Sequence, residues 1–187
     1  MRRLAGLLLC AASALHGAGR AQAPSVQTAW VSWVMDGDTV LLVTDAQREP
    51  VRLRLQGIDA PESCQPGGQQ AREALMARVL RKTVRVAALG EDSYGRQLGR
   101  LWVDEQDVAA ELVRSGWAWA YQYRTGRGPY AALQRQAQRE RLGLFAAAQT
   151  AMSPAVFRQF HGACHDLPVD QAPVLRAVPQ TGQSGSR

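Results

Sequence analysis

The sequence predicts an α+β protein built on a five-stranded Greek-key β-barrel of the OB type, with about three helices. Three strand-like runs precede the first amphipathic helix, and two more follow it before two further helices. A helix placed between the third and fourth of five strands is the element order of an OB-fold. The length of 187 residues suits one such domain with appendages at its ends.

The first three strands are marked by apolar runs and turn residues. Residues 30–35 and 39–44 flank an Asp-Gly dipeptide, which is typical of a hairpin turn. Residues 51–55 alternate apolar side chains with arginines, a pattern that predicts a strand with one buried face. Because successive side chains of a strand point to opposite faces, Arg52 and Arg54 share the face opposite the apolar residues.

The later elements follow from helical spacing, capping residues and turns. Apolar residues at helical spacing predict the helix between the strands, and Asp107 is a suitable N-cap for the next helix, which Ser115 and Gly116 end. The predicted elements are a helix over 69–80, strands over 83–89 and 97–103, and helices over 108–114 and 130–141.

The two ends of the chain are predicted to lie outside the domain of residues 24–148. Residues 1–23 begin with two arginines, continue with an apolar run too short to span a bilayer, and end in the small-residue pattern of a cleavage site at Ala23. We expect an exported protein, periplasmic or extracellular, with no stable membrane association after cleavage; the alternative is an uncleaved anchor. Residues 149–187 form a C-terminal extension, and its last part, 179–187, is expected to be disordered.

Charge and cysteines narrow the class of protein further. Removal of residues 1–23 takes away three arginines and no acid, which lowers the formal charge from +6 to +3. A mildly basic protein fits a polyanionic partner. In an oxidising compartment Cys64 and Cys164 are a candidate disulfide that would tie the C-terminal tail beside Glu62. Free thiols, or a metal site of Cys164 with His161 and His165, remain alternatives.

Three short segments carry the residue types of a phosphodiester hydrolase. They offer carboxylates for a hard cation, a further carboxylate for a base, and two arginines whose planar forks match phosphate oxygens. The segments are residues 36–39 (Asp-Gly-Asp-Thr), 54–62 (Arg-Leu-Gln-Gly-Ile-Asp-Ala-Pro-Glu) and 94–96 (Tyr-Gly-Arg).

In this order the segments resemble the thermonuclease family, typified by staphylococcal nuclease, and the resemblance extends over residues 30–145, including Leu-Val-Arg-Ser-Gly-Trp-Ala at 112–118. It implies an OB-fold nuclease that needs one calcium ion and cuts DNA and RNA to 3′-phosphate ends. Because carboxylate oxygens also accept manganese and magnesium, other divalent ions are possible cofactors. The expected partner is DNA or RNA, and we expect a monomer.

The resemblance also implies roles for individual residues. By position they are Asp38, Asp59 and the backbone carbonyl of Ala60 as metal ligands, Glu62 as general base, Arg54 and Arg96 as phosphate-binding arginines, and Tyr94, Tyr121 and Tyr123 as substrate-binding residues. Asp36 is expected to shape the hairpin. The tyrosines at 121 and 123 alternate with Trp117 and Trp119, so one side of that stretch could instead be core.

Two other functions remain open at this point. Some thermonuclease-like domains keep the barrel, lose the acids and arginines, and bind nucleic acid or protein without cleaving it. An OB-fold could also bind oligosaccharides through its aromatic side chains. The joint presence of Asp38, Asp59, Glu62 and two candidate phosphate-binding arginines favours the nuclease.

Overall fold

The computed structural model describes residues 25–121, 128–146, 152–161 and Cys164. The predicted export signal, Tyr123, His165 and the predicted disordered tail lie outside the described residues. In chain order the elements are β1 Val26–Val34, β2 Thr39–Val43, β3 Val51–Leu55, β4 Ile58–Asp59, α1 Gly68–Val79, β5 Thr83–Glu91, β6 Gln97–Val103, β7 Gln106–Asp107, α2 Val108–Arg114, β8 Trp119–Ala120, α3 Ala131–Arg139, a 3₁₀ turn Gly143–Phe145 and α4 Pro154–His161.

Five of the strands close into a barrel. β1 pairs with β2 and β2 with β3 in antiparallel order, while the other edge of β1 pairs with β5, and β5 with β6. A parallel pairing of β3 with β6 closes the ring, so neither strand is left as an open edge at the seam. The predicted five-stranded OB-fold is confirmed.

The strands form where the sequence alternates, and the core lies inside the barrel. In β3 the apolar Leu53 and Leu55 are buried, whereas Arg54 lies on the other face, as the alternation predicts. Helix α1 covers the barrel with Ala71, Leu75 and Val79, which are fully buried at helical spacing.

Helix α2 begins where the sequence predicted. Asp107 is its N-cap, and the carboxylate accepts a hydrogen bond from the backbone N–H of Ala110 at 3.1 Å. The same carboxylate accepts the hydroxyl hydrogen of Tyr130 at 2.9 Å, which ties the start of α3 to α2.

The structure adds elements that the sequence did not predict. The short strands β4 and β8 pair with each other, and β7 pairs with β6. A fourth helix, α4, lies within the region predicted as a C-terminal extension. Two-residue strands are too short to show alternation, and α4 stands in a stretch of mixed composition. Among the helices of the described residues, none has the length and apolar character needed to cross a bilayer.

Candidate active site

Asp38, in the turn between β1 and β2, and Asp59, in β4, meet on one guanidinium group. Nη1 of Arg54 donates to Oδ1 of Asp38 at 2.7 Å, and Nη2 donates to Oδ1 of Asp59 at 2.8 Å. Both carboxylates are almost fully buried, with 2% and 4% of their residue surface exposed. The sheet explains the meeting, because Thr39, directly after Asp38, pairs with Arg54 across β2 and β3.

The Asp38 carboxylate is held by the backbone around it. Its Oδ2 accepts the N–H of Ala60 at 2.9 Å, and its Oδ1 accepts the hydroxyl hydrogen of Thr39 at 2.9 Å. Gly37 permits the close approach, because a Cβ at this position would lie 2.7 Å from the Cβ of Ala60 and 2.8 Å from that of Ala71. The orientation of Asp38 is therefore set by the fold before any ligand binds.

Asp36 supports the turn. Its Oδ1 accepts the backbone N–H of Asp38 at 2.9 Å, which is the hairpin-shaping role expected from the sequence. Although part of Asp36 remains open to solvent, burial among protein atoms raises the pKa of its carboxyl well above the ordinary value, and the negative charge of Asp38 raises it further.

The neighbouring carboxylates stabilise the protonated form of Arg54. Burial lowers the pKa of the guanidinium, but the negative charges of Asp38, Asp59 and Asp36 outweigh burial and raise this pKa above its ordinary value. Arg54 thus carries a full positive charge at the point where the two acids meet.

Glu62 lies in the loop between β4 and α1. Its carbonyl accepts the N–H of Gln65 at 2.9 Å, and its own N–H donates to Oε1 of Gln65 at 3.2 Å. Gly68, at the start of α1, packs so tightly on this loop that a Cβ there would lie 2.0 Å from the carbonyl oxygen of Glu62. The loop backbone is therefore fixed, and the Glu62 side chain remains about one-fifth exposed.

Arg158 on α4 is a site residue that the sequence analysis missed. Its Nη1 donates to Oε1 of Glu62 at 2.6 Å and to Oδ1 of Asp59 at 3.2 Å, and its Nη2 donates to Oδ2 of Asp59 at 2.9 Å. Burial lowers the pKa of this guanidinium, but the hydrogen bonds to Asp59 and Glu62 raise it more, so the net shift is upward. The sequence signal was indirect: a Cys64–Cys164 disulfide would bring the tail to Glu62.

That disulfide is present in the structure. Cys64 and Cys164 are bonded, with their Cα atoms 5.9 Å apart. Because both sulfur atoms are in the bond, neither is available as a free thiol or as a thiolate ligand for a metal ion.

Arg96 lies in the hairpin between β5 and β6 and has a different partner. Its Nε donates to Oδ2 of Asp92 at 2.7 Å, and its guanidinium lies 5.4 Å from the ring centre of Tyr94. Burial raises the pKa of Asp92, but hydrogen bonds from Arg96 outweigh burial and lower it. Leu98 pairs with Arg54 across β6 and β3, so Arg96 precedes the residue opposite Arg54 by two positions, just before β6 begins.

The candidate substrate-binding tyrosines occupy exposed positions. Tyr94 is 82% exposed at the tip of its hairpin, and Tyr121 is 46% exposed directly after β8. The backbone N–H of Tyr121 donates to the carbonyl of Gly57 at 2.9 Å, which places this segment beside the turn that leads to Asp59.

Comparison with known proteins assigns the family. The family model described as staphylococcal nuclease homologue matches residues 52–147, which is half of the chain. The chain belongs to the staphylococcal nuclease homologue family. The family predicted from the sequence is thereby confirmed.

Three relatives show how far the similarity extends. The chain is 39% identical to Protein ParB of Escherichia coli over 123 residues, which cover 60% of this chain and 68% of that protein. It is 36% identical to a micrococcal nuclease of Shigella flexneri, with 60% and 70% coverage. It is also 36% identical to an uncharacterized endonuclease of Haemophilus influenzae, where 60% of this chain matches 63% of that protein.

The carboxylate oxygens of Asp38 and Asp59 are the type of ligand that a hard cation binds, but in this structure they contact arginine side chains. Within the residues that the structure describes, no group of three or more His, Cys, Asp or Glu side chains is arranged to hold a metal ion. Asp38 and Asp59 nevertheless each direct one carboxylate oxygen to the guanidinium of Arg54, which supplies the positive charge between them. Such oxygens, with a backbone carbonyl and water, are the ligands that calcium prefers.

Proposed function

We propose that this protein, an endonuclease of the staphylococcal nuclease homologue family, hydrolyses phosphodiester bonds of DNA or RNA with the help of a divalent cation, calcium first, and leaves 3′-phosphate ends. The observation that carries the proposal is the convergence of Asp38 and Asp59 on Arg54, with Glu62 joined to Asp59 through Arg158. Carboxylates, a base candidate and a guanidinium thus lie within one small region.

In this proposal Asp38, Asp59 and the carbonyl of Ala60 hold the cation. A bound calcium ion would polarise the phosphoryl oxygen and lower the pKa of a nearby water. The buried positions of the two acids support this assignment, because a buried carboxylate needs a positive partner and has little freedom to turn away from one.

The other residues act on the phosphate and on the attacking water. Arg54 and Arg96 stabilise the negative charge that gathers on the equatorial phosphate oxygens, since a guanidinium fork meets two oxygens at once. Glu62 accepts a proton from the attacking water. To contact the phosphate during the reaction, Arg54 must give up part of its contact with Asp38 and Asp59.

The nucleic acid would lie over the end of the barrel that carries these groups. Tyr94, Tyr121 and Tyr123 would stack on bases there, since aromatic faces bind any base and the guanidinium groups follow the backbone. We further propose that the protein acts after export, in the periplasm or outside the cell, as a monomer. The disulfide supports export, because such bonds persist in oxidising compartments.

The experiment is digestion of plasmid DNA and of RNA by purified protein, with calcium and with EDTA, for the wild type and for Glu62→Gln. Loss of the general base should lower the rate by about 100-fold or more, and EDTA should abolish cleavage. Glu73→Gln makes the same chemical change on the exposed face of α1 and should leave the rate unchanged. Cleavage that persists in EDTA, or an unchanged rate in Glu62→Gln, would refute the mechanism.

The alternative is a barrel that binds nucleic acid or protein without cutting. In that case wild-type protein would retain DNA in a mobility-shift assay with calcium present, yet the plasmid would stay intact at every protein concentration. The buried cluster of Asp38, Asp59 and Arg54 favours the nuclease over this alternative. A protein that only binds nucleic acid or another protein does not need two buried carboxylates side by side.

A further inference from the structure

Helix α4 is attached to the Glu62 loop on both sides of Arg158. Before the helix, the carbonyl of Met152 accepts a hydrogen bond from Nε2 of Gln65 at 2.7 Å. After the helix, Cys164 is bonded to Cys64, two residues past Glu62. The loop that carries the candidate base therefore also carries the anchors of the segment that presents Arg158.

The guanidinium of Arg158 occupies the acceptor positions that a metal ion would need. Oδ1 of Asp59 already accepts from Arg54 and Arg158, and Oδ2 of Asp59 accepts from Arg158 at 2.9 Å. Calcium binds carboxylate oxygens at about 2.3–2.6 Å and takes several of them. A cation at Asp59 would therefore have to replace at least part of the Arg158 contact.

Charge leads to the same conclusion. The carboxylates of Asp38, Asp59 and Glu62 carry three negative charges, and Arg54 offsets one of them. The remaining two would match a divalent cation, but Arg158 removes one more. A site with both arginines in place thus attracts a divalent ion less strongly than a site with Arg54 alone.

We propose that Arg158 competes with the divalent cation for Asp59 and Glu62, and so determines the metal affinity of the site, with the Cys64–Cys164 disulfide holding it there. The inference rests on the proposed function, because it concerns the same metal ligands. Metal binding is then coupled to release of Arg158, and the apparent affinity is the intrinsic affinity multiplied by the fraction of molecules in which Arg158 is released.

Release requires little rearrangement. The Arg158 side chain is 34% exposed, so rotation about its own bonds can carry the guanidinium into solvent. Helix α4 buries Pro154 and Phe157 independently of Arg158 and keeps its two anchors. Substitution of Arg158 should therefore leave the helix in place, so a change in calcium affinity would report the loss of the guanidinium alone.

The test is calorimetric titration of the full chain with calcium, without nucleic acid, for the wild type and Arg158→Gln. We expect calcium to bind about tenfold more tightly to Arg158→Gln. This is the factor for a wild type in which Arg158 contacts Asp59 and Glu62 about ten times more often than it is released. Arg139→Gln removes one positive charge from an exposed position on α3 and should bind calcium as the wild type does.

The disulfide is tested in the same assay. Replacement of Cys64 and Cys164 by alanine should also tighten calcium binding, by a smaller factor, because Arg158 loses a tether and spends less time on Asp59. In the Arg158→Gln background the same double replacement should have no further effect on calcium affinity. This non-additivity distinguishes a tether for Arg158 from a general effect on the fold.

The outcomes separate this inference from the proposed function. Equal calcium affinity in the wild type and Arg158→Gln overturns the competition, and a fall in kcat at unchanged calcium affinity would instead make Arg158 a phosphate ligand. Either result leaves the proposed nuclease intact if Asp59→Asn still abolishes calcium binding. If calcium binds to neither the wild type nor Arg158→Gln, the proposed metal site itself is wrong, and the inference fails with it.

Discussion

Substitution of Arg54 by glutamine should destabilise the protein without touching its apolar core. The Arg54 side chain is 15% exposed, and its guanidinium bridges Asp38 and Asp59, whose side chains are only 3% and 6% exposed. Glutamine has no charge and cannot bridge both acids, so each carboxylate stays buried with a missing partner. Removal of one member of a buried ion pair is costly because the remaining charge cannot regain its full hydration.

The magnitude follows from the two contacts. One pair of unit charges about 4 Å apart is worth about 4 kcal/mol at an effective dielectric constant of about 20. Arg54 makes two such contacts, but Arg158 stays on Asp59, and water can enter the space that the guanidinium leaves. We expect a net loss of about 3 kcal/mol in the free energy of unfolding.

The assay is urea unfolding followed by circular dichroism, in EDTA, at neutral pH. The matched control is Arg85→Gln, which removes an exposed ion pair with Glu105 and should cost less than about 1 kcal/mol. The reasoning fails if Arg54→Gln and Arg85→Gln lose the same free energy. Saturating calcium should restore part of the loss in Arg54→Gln, because the ion supplies the missing positive charge.

Two further predictions concern the barrel and its helices. Burial, the charge of Asp107 and a hydrogen bond to Asp107 raise the pKa of Tyr130 to about 12, so this tyrosine stabilises the fold below pH 10 and loses that contribution as the pH rises through 12. Tyr130→Phe should be about 1 kcal/mol less stable at pH 9, and the difference should vanish by pH 12 in unfolding curves. Gly37→Ala should cost about 1–3 kcal/mol in thermal unfolding, because its Cβ would overlap Ala60 and Ala71.

The barrel could be predicted because the pattern of residues within each strand indicates which face is buried. Alternation in β3 and the Asp-Gly turn before β2 are visible in short windows of sequence, and each reflects one buried face or one tight turn. β4 and β8 could not be predicted in this way. Each has two residues, and each exists only because the folded barrel brings it beside the other.

The site residues also fall into a group that the sequence could identify and one residue that it could not. Asp38, Asp59, Glu62 and Arg54 stand in recognisable motifs, so the sequence could nominate them together. Arg158 belongs to no motif and lies on a helix that was not predicted. Its contacts with Asp59 and Glu62 join residues 99 and 96 positions apart, a distance over which no local pattern carries information.

The sequence by itself determined the kind of barrel, the family and the chemical types available for catalysis, since these depend on residue identity and on neighbours within a few positions. Tertiary structure alone decided the pairing: one guanidinium bridging two buried acids, Arg96 held by Asp92, and a second guanidinium delivered from α4. The physical reason is that a buried charge interacts most strongly with the nearest opposite charge, and the packing of the whole chain decides which opposite charge lies nearest. That choice is made by the folded chain as a whole.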